Sequence, residues 1–335
     1  MWGCGSWGTA IARTLAYAGH TVDLSGRGED RDIILAISKD RENTRFLPGV
    51  SLPDSVCPVT ELSGKYDVIF LGVPSHAVRG AAHALEPFVR PETIIVNLAK
   101  GLEEDSYLRL SEVVRQVLPT CPVVVLSGPS HAEEVGREVA TAVVVASADE
   151  NAALAVQQLI MTPFFRVYVN SDIIGVELGG ALKNVIALCS GALEGAQATR
   201  DNTKAALITR GLTEITRLGV ALGAREVTFS GLAGLGDLVV TCTSPHSRNL
   251  RAGRALATGK PLEQVLEEVG MVVEGVRATR AAYGLSRRFN ISMPITEKAY
   301  QVLYENAPIE SVIHELMSRS RKHEHEDLGL IGIGE

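Results

Sequence analysis

The sequence predicts an α/β protein, with a doubly wound, mostly parallel sheet in its first half and an all-α domain in its second. Three observations point there. Up to about residue 170, short apolar runs alternate with segments whose apolar residues recur at helical spacing. The runs are apolar at consecutive positions, as strands covered on both faces must be. Past Asp172 such runs nearly vanish, and helical patterns separated by glycine-rich turns replace them.

Taken in order, the chain opens Gly3-Cys4-Gly5-Ser6-Trp7-Gly8 and continues in a helical pattern over residues 11–17. Residues 21–27 carry the next strand pattern. Residues 68–73, 93–97, 123–126, 142–146 and 165–169 read as buried strands, and residues 107–117 as a helix between two of them. Residues 173–195, 203–223 and 262–270 read as helices. This places a first, ligand-binding domain at residues 1–172 and a helical domain at 173–322. Residues 323–335, a charged stretch with a glycine-rich end, read as a frayed tail.

A chain of 335 residues that is 46% hydrophobic and 21% charged can bury large cores without disulfides or metals. Its five cysteines are scattered and never spaced CxxC, so reduced thiols, a cytoplasmic setting and no metal site are expected. A formal net charge of -7 argues against a nucleic-acid partner while leaving room for a local basic pocket. No uninterrupted apolar run reaches ~18 residues, so no membrane span is expected. The N-terminus has neither the basic nor the apolar region of a signal peptide.

A GxGxxG turn opening a helix is the fingerprint of a Rossmann-type dinucleotide site. Gly3 and Gly5 permit a tight turn and close approach of a pyrophosphate, Gly8 permits close helix–strand packing, and the helix N-terminus supplies amide donors. The context is incomplete, because only Met1 and Trp2 stand where a first strand should precede the turn. A missing central strand would leave its neighbours with unpaired amides and carbonyls; alternatively, the sheet closes and Met1-Trp2 suffice. Roughly 20 residues past the fingerprint an acidic residue would hold the ribose of NAD. The expected strand end instead carries Ser25, Gly26 and Arg27, with Asp23 inside the strand pattern. A guanidinium there suits the 2′-phosphate of NADP. A solvated surface arginine is the alternative, and Glu29 and Asp30 lie close by.

Ligands of open parallel sheets sit beyond the carboxyl ends of the strands. Lys100 follows one strand, and Ser127-Gly128-Pro129-Ser130-His131 follows the next. Each can face the ligand or simply build a solvated loop. His76 and His131 read as surface or supporting groups, since neither has a carboxylate at an informative spacing. In the helical half, Lys183 stands inside a long apolar helix, where a lysine either snorkels or functions. A second ammonium nearby, such as Lys100, would make it a better proton acceptor. Asp237 closes the glycine-rich run from Ser230 and is suited to a substrate hydroxyl or to orienting a lysine. Ser247 can cap the following helix, where Arg248 and Asn249 offer donors for a phosphate; a plain capped helix start is the alternative. Val272-Val273-Glu274-Gly275 reads as a turn between helices.

Together these segments resemble the bacterial-type NAD(P)-dependent glycerol-3-phosphate dehydrogenase family. The likeness is carried, in order, by residues 3–10, 43–53, 99–101, 127–132, 179–188, 231–242, 247–249 and 273–275, and it spans nearly the whole chain. The resemblance implies NADP or NAD as cofactor, with NADPH preferred from the Arg27 position. It implies cofactor contacts at Gly3, Gly5, Ser6, Trp7, Gly8, Arg27, Lys100, Ala132, Arg248, Val272 and Glu274. It implies substrate contacts at Lys100, Gly128, Ser130, Lys183, Asp237, Ser247, Arg248 and Asn249, with Lys183 as proton acceptor and Lys100 meeting both ligands. The partner is then a small phosphorylated substrate, in an enzyme feeding glycerophospholipid synthesis, with a homodimer left open. The departure from the family is the missing first strand. Two other readings compete: a hydroxyacid reductase on the same scaffold, which would want a carboxylate clamp, and a non-catalytic nucleotide-binding protein, which would bind cofactor without turnover.

Overall fold

The computed structural model describes residues 1–196 and 201–320. The tail expected at 323–335 lies outside the described residues. The chain forms two compact units: Met1–Glu103 with Leu108–Glu177, and Glu104–Tyr107 with the chain from Leu178 onward.

In the first unit the elements follow as α1 (Ser6–Tyr17), β1 (Val22–Leu24), α2 (Arg31–Asp40), β2 (Val56–Pro58), β3 (Val68–Leu71), α3 (Val78–Leu85), β4 (Ile94–Asn97), α4 (Leu110–Val117), β5 (Val123–Ser127), α5 (Ala132–Val135), β6 (Thr141–Ser147), α6 (Glu150–Ile160) and β7 (Phe165–Asn170). β1 and β2 pair in parallel, and β3-β4-β5-β6-β7 form a five-stranded sheet whose one antiparallel pair is β5–β6. Successive strand residues part to opposite faces. Phe70, Val96 and Val124 join one core with Ile11 and Leu15 of α1, Ile34 of α2 and Val156 of α6. Ile69, Ile95 and Val123 join another with Val78 of α3 and Val113 of α4. Period-two alternation with apolar residues on both sides is what a doubly wound sheet requires.

The expectation of an open slot in place of the first strand is corrected. Trp2 bridges Ser25 on one side and Leu71 on the other, both in parallel. Trp2 N donates to Phe70 O at 2.9 Å and Gly72 N to Trp2 O at 2.7 Å. On the other edge, Ser25 N donates to Met1 O at 2.9 Å and Gly3 N to Ser25 O at 2.8 Å. The flanking groups that would otherwise be orphaned are paired, and this stub joins the two sheets.

In the second unit all of the described elements are helical: α7 (Ile173–Gly195, which begins in the first unit), α8 (Asp201–Ala221), α9 (Glu226–Phe229), a π-helical turn at Leu232–Gly236, α10 (Asp237–Thr243), α11 (Arg248–Leu256), α12 (Leu262–Val269), α13 (Glu274–Arg288), α14 (Pro294–Tyr304) and α15 (Ile309–Met317). The segment Glu104–Tyr107 belongs here, with Glu104 paired to Arg277 at 2.7 Å and Arg280 at 3.1 Å on α13. No membrane span is expected from the sequence, and one helix among the described residues meets the length and composition of a span without contradicting that. α7 is long and apolar enough to cross a bilayer, because a window average tolerates Glu177 and Lys183 where an uninterrupted count stops. Of that window 89% is buried inside the protein, as in a core helix. α7 meets α11 backbone to backbone. A Cβ on Gly191 would lie 2.0 Å from Leu250 O, and one on Gly253 would lie 2.0 Å from Leu188 O.

α14 starts on a buried carboxylate. Glu214 of α8 accepts from Ile295 N at 2.6 Å, and from Thr296 N and Thr296 Oγ1 at 3.1 Å each. Burial outweighs these donors and pushes its carboxyl up to about 7 from 4.5. The folded state therefore keeps a proton that the unfolded chain releases near 4.5. The resulting stability is complete below that value and lost as pH rises through about 7. Thermal midpoints of the wild type should fall between pH 5 and 8, and those of Glu214→Gln should fall less. Parallel profiles for the two proteins would show that Glu214 does not titrate on unfolding.

Candidate active site

The glycine turn is shaped by close contacts. Gly3 has φ +117°, and a Cβ there would sit 2.5 Å from Gly72 O. A Cβ on Gly8 would sit 2.0 Å from Gly3 O, so α1 can start against the turn only if residue 8 has no side chain. A Cβ on Gly5 would meet nothing within 4 Å, which leaves that side of the turn open to a ligand. Ser6 and Trp7 form the first turn of α1, whose amides lack intrahelical partners. Trp7 packs on the core, and its buried Nε1 has no protein acceptor among the described residues. An open glycine, a helix N-terminus and an orphaned donor fit a dinucleotide pyrophosphate.

At the end of β1 the structure corrects one expectation. Arg27 is not unopposed: its guanidinium pairs with Glu29 and lies 3.8 Å from Asp30. The short turn Gly28–Asp30 folds the acids back, with Arg27 N donating to Asp30 Oδ2 at 2.9 Å. A 2′-phosphate would have to compete with two carboxylates. Asp23 accepts from Tyr66 OH at 2.8 Å.

Beyond β4 and β5 the structure gathers the residues expected at that edge. Asn97 braces the turn with Nδ2 on Ala99 O at 3.0 Å, which sets the direction of Lys100. Lys100 Nζ donates to Gly128 O at 2.8 Å and Ser130 Oγ at 3.2 Å. Ala132 begins α5 and is buried, half-buried His131 precedes it, and His76 is exposed.

In the second unit Lys183 is 5% exposed on α7 and forms an ion pair with Asp237, itself 1% exposed. Lys183 Nζ also donates to Thr241 Oγ1 at 2.7 Å, and Thr241 Oγ1 donates to Asp237 O at 2.6 Å. Of the two roles open to Asp237, orienting a lysine is the one seen. Within this unit, a carboxylate rather than a second ammonium is the group found on Lys183. Asp237 owes its position to the π-helical turn, where Gly236 N reaches Gly231 O at 3.1 Å and delays the helix by one residue.

Ser247 caps α11, accepting from Leu250 N at 3.2 Å, and half-buried Arg248 opens that helix. The amide of Asn249 is engaged within the protein: Nδ2 donates to Asn184 Oδ1, and Oδ1 accepts from Gly275 N, both at 2.8 Å. That network ties the neighbour of Lys183, the neighbour of Arg248 and the start of α13 next to Glu274. Val272 is half-buried just before it.

Sequence reasoning passed over Thr241 and Asn184. The four-residue spacing of Asp237 and Thr241 on one helix face was the available signal for the first. It also passed over the Glu177 cluster, where Arg109 Nη1 and Ser111 Oγ reach Glu177 Oε2 at 2.8 and 2.6 Å. Burial pushes the Glu177 carboxyl up, and Arg109 and Ser111 pull it back. All five cysteines are free. Burial pushes the Cys4, Cys189 and Cys242 thiols up to about 12, which makes them poor nucleophiles at neutral pH. Among the described residues no group of three His, Cys, Asp or Glu side chains could hold a metal ion.

Comparison with known proteins supplies the context. Residues 1–153 match the family model described as NAD-dependent glycerol-3-phosphate dehydrogenase N-terminus, and residues 172–314 match its C-terminus. The glycerol-3-phosphate dehydrogenase [NAD(P)+] of Desulfitobacterium hafniense is 57% identical, covering 99% of this chain and 94% of the relative. The Bacillus subtilis protein of the same name is 49% identical over 98% of this chain and 96% of its own. The crystal structure of glycerol-3-phosphate dehydrogenase from Coxiella burnetii superposes with a TM-score of 0.90 at 36% identity, covering 95% of this chain and 98% of that one.

The glycine contacts predict opposite outcomes at two positions of one motif. Gly8→Ala should lower the thermal midpoint by about 3–10 °C, because a methyl group is forced against a backbone carbonyl. Gly5→Ala should leave it within about 2 °C, since its Cβ enters open space. Equal midpoints for the two variants would contradict the packing of α1 on the turn.

Proposed function

The chain belongs to the NAD-dependent glycerol-3-phosphate dehydrogenase family, and from that premise we propose how its own residues carry the reaction. The protein is an NAD(P)-dependent oxidoreductase that interconverts dihydroxyacetone phosphate and sn-glycerol 3-phosphate. The nicotinamide, when bound, supplies or accepts the hydride at C2. Lys183 handles the proton: its ammonium stabilises the negative charge developing on the C2 oxygen and then donates a proton to it, and in the reverse direction the neutral amine takes the C2 hydroxyl proton. Asp237 and Thr241 restrict the rotation of the Lys183 side chain and so set the direction of that transfer. The observation that carries this reading is a lysine buried in an apolar helix with a carboxylate and a hydroxyl both directed at its nitrogen.

Arg248 and the N-terminus of α11, capped by Ser247, are suited to the substrate phosphate. Asn249 supports that contact from behind through Asn184 and Gly275. Lys100, Gly128 and Ser130 form the polar edge proposed to meet substrate, with Lys100 also meeting cofactor. Gly3, Gly5, Ser6, Trp7, Gly8, Ala132, Val272 and Glu274 are the further proposed cofactor contacts. A preference for NADPH rests on Arg27 exchanging Glu29 and Asp30 for a 2′-phosphate, an exchange that exposed ion pairs permit because each is worth ~1 kcal/mol or less. The free, scattered cysteines support a cytoplasmic setting, and the product suits glycerophospholipid synthesis.

Lys183→Ala should lower kcat by at least ~10²-fold with cofactor affinity little changed. Turnover near that of the wild type would reject the proton-transfer role. Arg248→Ala should raise the KM for dihydroxyacetone phosphate far more than that for unphosphorylated dihydroxyacetone. Equal losses on the two substrates would remove Arg248 from the phosphate site.

A further inference from the structure

We propose that Asn43 is a positioning residue for the cofactor turn, holding the Cys4 carbonyl inward so that the next amide, Gly5 N–H, points out toward the pyrophosphate. The inference rests on reading the glycine turn as the cofactor site. Asn43 lies outside that turn, in the loop after α2, and is 1% exposed. Its Nδ2 donates to Cys4 O and to Thr9 Oγ1, each at 2.8 Å. Thr9 Oγ1 reaches the same Cys4 carbonyl at 3.4 Å. The side chain is itself anchored, with Oδ1 accepting from Phe46 N at 3.1 Å and its backbone carbonyl accepting from Leu47 N at 2.8 Å.

The geometry of the peptide group does the rest. In a planar trans peptide the carbonyl and the following N–H point in opposite directions. A Cys4 carbonyl held against Asn43 therefore turns the Gly5 N–H away from Asn43, at a residue where a Cβ would meet nothing within 4 Å. With the side chain of residue 43 lost, the Cys4–Gly5 peptide could rotate, and one of the amides proposed to face the pyrophosphate would be misaimed. Both Nδ2 hydrogens and Oδ1 have partners within the protein, so Asn43 acts through the turn rather than on a ligand.

The decisive variant is Asn43→Asp, which keeps the shape and replaces the donor with an acceptor facing a carbonyl. Direct titration of the enzyme with NADPH, followed by cofactor fluorescence, should show Kd raised about tenfold or more. The cofactor-induced shift in thermal midpoint should shrink accordingly. In steady-state assays the KM for NADPH should rise while kcat at saturating NADPH and the KM for dihydroxyacetone phosphate hold, a split that general loosening of the fold would not produce. Thr9→Val should reproduce part of the defect, and Thr9→Ser, which retains the hydroxyl, should not. A folded Asn43→Asp that binds NADPH within twofold of the wild type would overturn the proposal; if that variant does not fold, Thr9→Val decides by the same criterion. Loss of the fold in both would also overturn it, because Asn43 would then hold the unit together rather than aim the turn. Gly5→Val separates the premise from the inference. If it binds NADPH normally, the glycine turn is not the cofactor site; if it loses NADPH while the Asn43 variants keep it, only the role of Asn43 fails.

Discussion

The peptide groups of Trp2 are the interaction on which the first unit depends. They bond on one side to the β3 segment, through Phe70 and Gly72, while the neighbouring peptides of Met1 and Gly3 bond on the other side to Ser25. Two sheets become one layer through these groups. The glycine turn leaves from the same point, so its starting position is set by backbone pairing before any side chain acts. Gly3, Gly8 and Gly72 then meet so closely that only hydrogens fit among them. The turn is pressed against the sheet at Gly3 and Gly8, while among the described residues nothing lies within 4 Å of a Cβ placed on Gly5.

The second unit solves a different problem, that of holding charged and polar groups in an apolar interior. Lys183 and Asp237 neutralise each other, Asn184 and Asn249 satisfy each other, and Glu214 takes the free amides of α14. A buried charge without a partner would be strongly destabilising, so each group is tied to a specific neighbour. The price of that arrangement is rigidity, and here rigidity serves chemistry: the pairs join α7, α10, α11 and α13 at the residues proposed to act on substrate.

Much of the layout was legible because its signals are local. Consecutive apolar residues such as Val68 to Leu71, in a chain that alternates them with helical patterns, read as strands buried on both faces, and the long apolar stretch around Lys183 reads as a helix. Lys183 itself stood out because a lysine in such a helix demands an explanation. Other features were hidden because they depend on what lies opposite. The pairing of Trp2 is set by Ser25 and Leu71, which no pattern in two residues can reveal. Thr241 faces Lys183 only because the π-helical turn shifts the phase of the helix that follows. The acids beside Arg27 were visible in sequence, but the turn at Gly28–Asp30 that folds them onto the guanidinium was not. The docking of Glu104 on α13 joins residues more than 170 positions apart and has no local signal at all.

The crossing of α7 and α11 has a meaning for how this protein can change over evolutionary time. At Gly191 and Gly253 the two backbones touch, and nothing larger than hydrogen fits at either position. Gly191 lies eight residues along α7 from Lys183, roughly 12 Å of helix, and Gly253 lies five residues along α11 from Arg248, roughly 8 Å. Neither glycine bears a functional group. Yet a single added methyl at either would wedge the helices apart and move the lysine proposed to handle the proton relative to the arginine proposed to hold the phosphate. Substitution at these two inert positions is therefore limited by backbone contact rather than by chemistry.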